Sequence, residues 1–462
     1  MVGDEDQSIY GFRAAYPEAL LSFEKNHANA RVLLMEDNFR SNASIVEAAD
    51  RFIQKNTLRH EKHMRATKER MEEIKEISLK SRKAQYSYLM KVADGCTTQT
   101  AVLYRDNECV LPLVDLLERN NIPYQMRNAE LTFFSHRTVL DVVNIMKLAL
   151  NPKDTEAFLQ VYYKIGTYLR KQEAMRIAEI SEEKDLPVLD VAADYQGLSG
   201  HVIGCVKSVR THLQNMLQES GDKAVNRISQ YMGYRDYLNR IGISDSKLEI
   251  LRMLGAREES PERLVKRLEE LKSIISEKQS DAQCPFILST MHASKGLEYE
   301  HVYLIDVMDG ILPEQALQNP KRASKEELQT YEEERRLFYV GVTRAKQQLT
   351  LFTTNRESSF CREILGKTFI QKNSTKAVST NKIFSQANPY AQNTTSRMKP
   401  VTAEEYKKFK EQLGAGVLVK HKKFGDGVVV SMDEEHVQIL FGEKLRNLDM
   451  RMLVQGGFLE VC

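Results

Sequence analysis

Two stretches of this chain alternate short apolar runs with amphipathic segments, and the residues between them do not. That change of pattern constrains the fold more than any other feature. In the first stretch, "RVLLMEDNFRSN" carries an apolar run from Val32 to Met35 that ends in polar turn residues, which predicts a buried strand and a loop. "NASIVEAADRFIQKN" follows with helical spacing, Ile45, Ala48, Ala49 and Phe52 on one face. "TQTAVLYRDN" reads as a strand, and "VLPLVDLLERNNIPYQM" as a helix closed near Asn120-Asn121, with Pro123 barring its continuation. The mixed charges from Arg59 to Lys83 read as a solvated helix face. Between about Phe134 and Ser280 helical periodicity takes over. In "SPERLVKRLEELKSIISEK", for example, Leu264, Leu268, Leu271 and Ile275 form one stripe. Strand–helix alternation then returns in "CPFILSTMHASKGLEYEHVYLIDVMDG" and "EEERRLFYVGVTRAKQQLTLFTT". A helical block interrupting such alternation predicts a parallel α/β sheet with a helical domain inserted into it.

Length and composition agree with several cores. The 462 residues suggest roughly three units, and 42% hydrophobic residues suffice to bury them. Lys and Arg number 66 against 64 Asp and Glu, so net charge does not point to a polyanionic partner, although a local basic cleft can still bind phosphates. The six cysteines form no C-x-x-C pair, which argues against a zinc ribbon or redox motif, and no metal site is predicted. No apolar run approaches the roughly 20 residues of a membrane span, and the polar, acidic start is not a signal peptide. A reduced, cytoplasmic protein without membrane contact is the expectation. After residue 357 the chain is rich in Ser, Thr, Asn, Gln and Lys and reads as a linker. "GAGVLVKHKKFGDGVVVSMDEEHVQILFGEKLRNLDM" then gives short alternating runs separated by turns, the pattern of a small β-barrel.

Four segments, "VGDEDQSIYGFRAA", "LMEDNFRSN", "LSTMHASKGLEYEHVYLID" and "EEERRLFYVGVTRA", stand in that order. Together they resemble the third to sixth motifs of the UvrD/PcrA/Rep family of superfamily 1 DNA helicases. "AVLYRDN" is similar to a further DNA-contacting segment, and the C-terminal "HKKFGDGVVV" region looks like the Tudor-like tail of that family. The resemblance implies a RecA-like (P-loop NTPase type) second domain with an inserted all-helical domain, plus a small Tudor/SH3-like β-barrel. It divides the chain into a remnant of a first RecA-like domain (1–32), the second RecA-like domain (33–133 and 281–357), the insert (134–280), a linker (358–412) and the barrel (413–462).

The same resemblance implies roles for individual residues. Arg40 of "DNFRS" and Arg344 of "GVTRA" would face the γ-phosphate of ATP, a task suited to a permanently charged fork of donors. Gln7 would lie on the opposite wall of the cleft and report the γ-phosphate to the DNA. Phe39 would stack on adenine, Glu298 would bond the ribose hydroxyls, and Gly296 would complete the nucleotide contacts. Tyr10, Phe12, Arg13, Arg105, Thr290, His292 and Lys295 would line a single-stranded DNA track, Phe12 by base stacking that reads no sequence. "YYKIGTYLRKQEAMRIA" would be a remnant of a helix-hairpin-helix, with Gly166 admitting a phosphate. Taken singly, each has a plainer reading: a solvated arginine, a core phenylalanine, a surface pair between Lys295 and Glu298. Only their co-occurrence in four ordered motifs favours the motor.

The pattern G-x-x-x-x-G-K-[ST] does not occur in the chain. "CREILGKT" lacks the first glycine, and helix-like sequence precedes it where a strand is needed. Asp306, at the end of "VYLID", has the look of a magnesium-binding carboxylate but follows the fifth motif as a structural strand end. The opening "MVG" reads as a strand end whose remaining sheet is not in this sequence. ATP and Mg2+ are therefore cofactors of the full-length family protein, and the chain by itself is expected not to hydrolyse ATP. The leading reading is the C-terminal part of an ATP-dependent 3′-to-5′ DNA helicase acting on single-stranded and forked DNA. The alternative is a non-catalytic module that binds single-stranded DNA, or RNA polymerase through the barrel. A nuclease-linked branch would require clustered carboxylates at the C-terminus, which the sequence does not offer.

Overall fold

The computed structural model describes residues 2–10, 18–27, 29–127, 131–277, 283–317, 323–354, 358–367, 417–421, 425–432, 436–441, 444–449 and 459–461. They fall into two units, one within residues 1–371 and one within 372–462.

The first unit is built on six strands: β1 (Lys75–Leu79), β2 (Thr100–Tyr104), β3 (Gln125–Met126), β4 (Phe286–Thr290), β5 (Tyr299–Leu304) and β6 (Ala345–Thr354). Their order is β1-β6-β5-β2-β4-β3, and every neighbouring pair is parallel. β2 ("TAVLY") and β4 ("FILST") are buried at every residue, because helices cover both faces of the sheet. Alternate side chains serve opposite cores: Val102 and Tyr104 pack on one side, Ala101 and Leu103 on the other. The Ala101 side is closed by α1 (Ala43–Ile53), where Phe52 meets Phe338 at 5.1 Å between ring centroids. α1 starts where the Asn42 side chain accepts the Ile45 amide at 3.2 Å.

The other face carries α2 (Arg82–Asp94) and α3 (Leu111–Arg119). Between β3 and β4 the described residues are helical: α4 (Arg137–Leu150), α5 (Thr155–Val161), α6 (Lys171–Lys184), α7 (Val188–Asp194), α8 (Gly200–Met216), α9 (Gly221–Tyr231), α10 (Tyr234–Arg240), α11 (Ser246–Gly255) and α12 (Pro261–Glu277). Leu264, Leu268, Leu271 and Ile275 of α12 are all buried in the core that also holds Val102 and Leu117. Ion pairs tie these helices to the sheet layer: Arg267 to Asp115 at 2.7 Å, Arg82 to Glu249 at 3.0 Å, and Arg119 to Glu258. After β5 the chain runs through α13 (Lys325–Val342), which packs on α1, and then into β6.

Several expectations need correction. Val32–Met35 form no strand. They are irregular and exposed, Leu33 at 74% and Met35 at 81%, and no strand among the described residues pairs with them. Val2 is likewise exposed and outside any strand. Arg59–Lys83 is not one helix. It is a loop, a two-residue bridge of Arg65–Ala66 to Asp37–Asn38, the strand β1 and only the start of α2. Without an apolar stripe its backbone had no helical face to bury, and Arg59 and Lys62 are buried against acids instead. Residues 358–367, placed in the linker, include the short helix α14 (Ser359–Ile364), whose Phe360 packs edge-on to Phe52. The remainder of that segment, 368–412, lies outside the described residues. Asp306 is a fully buried, left-handed residue (φ 56°) gripped by Arg82 at 2.6 Å and by Gln85 at 2.6 Å.

The second unit is an antiparallel sheet of β7 (Leu418–His421), β8 (Gly425–Met432), β9 (His436–Phe441), β10 (Lys444–Asp449) and β11 (Leu459–Val461), in the order β10-β9-β8-β7-β11. Val419, Val429, Val437 and Ile439 are buried. Leu418 and Leu440, both cross-strand partners of Val428, form with it an exposed apolar stripe.

Candidate functional site

The turn between α13 and β6 buries an arginine. Arg344 is 1% exposed, and its donors meet only neutral acceptors: the carbonyls of Val340 (2.9 Å) and Leu297 (3.0 Å), the Thr343 hydroxyl (3.1 Å) and the Gln7 side-chain oxygen (3.4 Å). Among the described residues no carboxylate pairs with it. Burial, and next the positive charge of Arg40, push its pKa down to about 10. A buried cation next to a second cation is costly unless an anion arrives.

Arg40 reaches the same place because its loop is stitched to β6. Asn38 accepts the amides of Arg40 and Ser41, both at 3.0 Å, the Ser41 hydroxyl donates to Ala345 O at 2.6 Å, and the Asn42 amide donates to Lys346 O at 3.0 Å. The Arg40 guanidinium donates to Glu298 Oε2 (2.9 Å) and to the carbonyl of Thr343 (3.4 Å). Lys346 holds the other Glu298 oxygen at 2.9 Å, and these two cations, Lys346 first, keep that carboxyl below its ordinary range. Phe39, next in the chain to Arg40, is 73% exposed. Gly296 adopts φ 83°, a backbone state that disfavours any side chain.

Gln7 does not face Arg344 across a cleft: it sits against that residue in the same compact unit. Its carbonyl accepts the Lys295 ammonium at 2.9 Å, which lies 5.3 Å above the Tyr10 ring. The Tyr10 hydroxyl donates to His292 O at 3.4 Å, and the two rings are 6.1 Å apart. One side of Gln7 therefore touches the arginine pocket and the other touches an aromatic–basic cluster. Thr290 is nearly buried and accepts the Ala293 amide at 3.1 Å, so it shapes the turn that presents His292 and Lys295. The Arg105 charge is taken up by acids instead: Glu334 at 2.8 Å and Asp106 at 3.2 Å. Phe12 and Arg13 lie outside the described residues.

In the inserted helices, Gly166 (φ 68°) and Tyr168 (φ 57°) shape the turn into α6, and Tyr168 is exposed. Lys164 is buried on Asp141 at 2.6 Å. Sequence reasoning missed Lys346, two residues after Arg344. It also missed Arg59, His60 and Lys62, which hold the acids before Gln7. For the latter group the only available signal was three bases in a charged run and three consecutive acids elsewhere, which no spacing rule connects.

Two neighbouring guanidiniums, one of them buried on neutral acceptors, have the chemistry to hold a polyanion. The described residues contain no group of three His, Cys, Asp or Glu side chains arranged to hold a metal ion, and Asp4, Glu5 and Asp6 are engaged by cations. No helix among the described residues is long and apolar enough to cross a membrane.

Comparison with known proteins gives the family. The UvrD-like helicase C-terminal domain matches residues 33–356, and the UvrD/REP helicase N-terminal domain matches residues 1–28. The chain is similar to the ATP-dependent DNA helicase PcrA of Staphylococcus epidermidis (strain ATCC 12228), with 26% identity over 94% of the chain and 63% of the relative. PcrA of Staphylococcus aureus (strain Mu50) is 26% identical over 95% of the chain and 63% of the relative. The putative ATP-dependent DNA helicase YjcD of Bacillus subtilis is 27% identical over 76% and 47%. The chain thus spans less than two thirds of the length of these relatives. With the matched domain covering most of its residues, the chain belongs to the UvrD-like helicase family.

Proposed function

We propose that the chain carries the arginine-bearing half of the ATP site, and part of the single-stranded DNA track, of an ATP-dependent 3′-to-5′ DNA helicase acting in repair or replication. The observation that carries this reading is Arg344: a buried guanidinium without an acid partner among the described residues, beside Arg40 and in contact with Gln7. Developing negative charge on a transferring γ-phosphoryl group is what such a pair stabilises. Phe39 supplies a free ring face for adenine, and Glu298, once released by Arg40, supplies acceptors for ribose hydroxyls. Tyr10, His292 and Lys295 hold the DNA backbone and bases without reading sequence; Arg105 joins them only if it leaves Glu334. Polarity is taken from the family resemblance. The chain has no P-loop lysine, so in isolation it binds ATP weakly and does not turn it over.

A second reading, a docking module, draws on the second unit, where Leu418, Val428 and Leu440 expose an apolar stripe across three strands. A Tudor-like tail that meets RNA polymerase would use such a face.

The test is polarisation of a fluorescent oligo-dT strand with the full chain, together with steady-state ATP hydrolysis. Binding that falls steeply with salt and is weakened by Lys295→Ala, with hydrolysis no higher than that of Arg344→Ala, is expected. No oligonucleotide binding at low salt refutes the motor reading, and DNA-stimulated hydrolysis refutes the inactivity of the chain.

A further inference from the structure

The acidic turn before Gln7 is held by a set of cations that no motif supplies. Asp4, Glu5 and Asp6 lie in and before a 3-10 turn that ends at Gln7. Glu5 and Asp6 are buried. Arg59 grips Asp6 with two parallel bonds, Nε to Oδ1 at 3.0 Å and Nη2 to Oδ2 at 2.9 Å. The Lys62 ammonium reaches all three acids, at 2.8 Å from Asp4, 3.1 Å from Glu5 and 3.3 Å from Asp6. The His60 amide donates to Glu5 at 3.0 Å. The loop bearing these bases is anchored in turn: the Thr57 amide and hydroxyl both donate to Glu332 on α13 at 2.8 Å, and the Asn56 side chain donates to the Glu332 carbonyl at 3.0 Å. α13 is the helix that ends just before Arg344.

A closed circuit results. Arg344 follows the C-terminal end of α13, the base-bearing loop is bonded to Glu332 near the middle of the same helix, and the acidic turn is fixed to the loop. Gln7, at the end of that turn, is delivered to Arg344. Asp4 also orients the Gln7 carboxamide, accepting its Nε2 at 2.5 Å. Buried, multiply bonded ion pairs of this kind contribute little net stability but fix one geometry among several.

We infer that Arg59 and Lys62 are positioning residues that clamp the Asp4–Asp6 turn to the arginine-bearing wall, so that Gln7 links the polyphosphate pocket to the Lys295–Tyr10 cluster as part of a single rigid body. The link rests on the proposed nucleotide and DNA sites; the clamp does not. Without it, the turn opens its own short-range bonds more often and loses its registration, and occupancy of one pocket is no longer felt at the other.

The experiment compares the unsubstituted full chain with Arg59→Met/Lys62→Met and with the conservative Arg59→Lys. Hydrogen exchange by mass spectrometry reads the amides of Gln7 and Ser8, which are bonded to Asp4 and Glu5 carbonyls at 3.1 and 3.2 Å. In the double variant these amides exchange about tenfold faster or more, while the amides of α13 and β2 keep their protection. Oligo-dT affinity, measured with and without tripolyphosphate, differs by about fivefold or more in the unsubstituted chain and by less than about twofold in the double variant. Arg59→Lys restores part of that difference. Unchanged exchange at Gln7 and Ser8 overturns the clamp, as does equal acceleration throughout α13, which makes the bases general scaffold. Both ligands bound by the unsubstituted chain without mutual effect overturns the link. If neither ligand binds, the proposed function fails and the link with it, while hydrogen exchange alone still decides the clamp.

Discussion

Replacing Arg344 with methionine should stabilise the first unit. Burial and Arg40 bring the pKa of this arginine well below its ordinary value, to about 10. That displacement corresponds to roughly 3 kcal/mol against the charged form in the folded state. The sign follows from proton linkage. At neutral pH the side chain is charged both folded and unfolded, so the folded state bears the whole cost. The cost is relieved only as pH rises above about 10 toward the ordinary arginine value, where the unfolded chain keeps a proton that the folded chain has lost. Methionine, unbranched and adaptable, fills the channel of the guanidinium stem. It leaves the Leu297 carbonyl without this donor, at about 1–2 kcal/mol. The net expectation is a gain of roughly 1–2 kcal/mol. The chain has no tryptophan, so urea unfolding is followed by far-UV circular dichroism. An unchanged slope with a later midpoint is the predicted result. A variant less stable than the parent by 1 kcal/mol or more would refute the reasoning, since Arg344 would then be a structural cation and not one awaiting an anion.

Other consequences are equally concrete. A Cβ on Gly255 would sit 2.7 Å from the Gly221 carbonyl carbon and 2.8 Å from the Asp222 nitrogen, so Gly255→Ala should cost about 1–3 kcal/mol in thermal unfolding by prying α9 from α11; a neutral result would contradict that packing. Asp306→Asn should cost about 2–4 kcal/mol by removing the buried one of the two carboxylates that pair with Arg82 and leaving only Glu249. Asparagine accepts the left-handed backbone there, so the loss reports charge and not strain. Phe39→Ala should weaken an adenine nucleotide by roughly 1–3 kcal/mol in calorimetric titration while leaving tripolyphosphate binding and fold stability unchanged. Burial pushes the Glu5 carboxyl up, but the His60 amide, its own amide and Lys62 outweigh burial and hold it below its ordinary 4.5. Its stabilisation is complete above that value and disappears as pH falls through the lower folded value; Lys62→Met should flatten this part of an acid unfolding curve.

The α/β character and the parallel sheet were legible because β2 and β4 are continuous apolar runs and α1 shows a clean one-sided stripe. The same rule misled at Val32–Met35: an apolar run marks a strand only if a partner strand is present, and none among the described residues pairs with it. It also failed from Arg59 to Lys83, where charge patterning conceals that two of the bases are buried. At the site, the motifs named Arg40, Arg344 and Gln7 without their mutual geometry. Periodicity could not reveal that Arg344 is buried, because its burial comes from Leu297 and Val340 closing over a turn. Nor could spacing reveal that Arg105 is engaged by Glu334, 229 residues away. Local pattern fixes elements; long-range charge pairing is decided only when elements meet.

The central claim is that Arg40, Arg344 and Gln7 form one pocket for a polyphosphate. Calorimetric titration of a non-hydrolysable ATP analogue with magnesium into the full chain tests it most directly. The account predicts a single weak site in the parent chain, lost in Arg344→Met and in Arg40→Met. Binding of equal strength in Arg344→Met would contradict it.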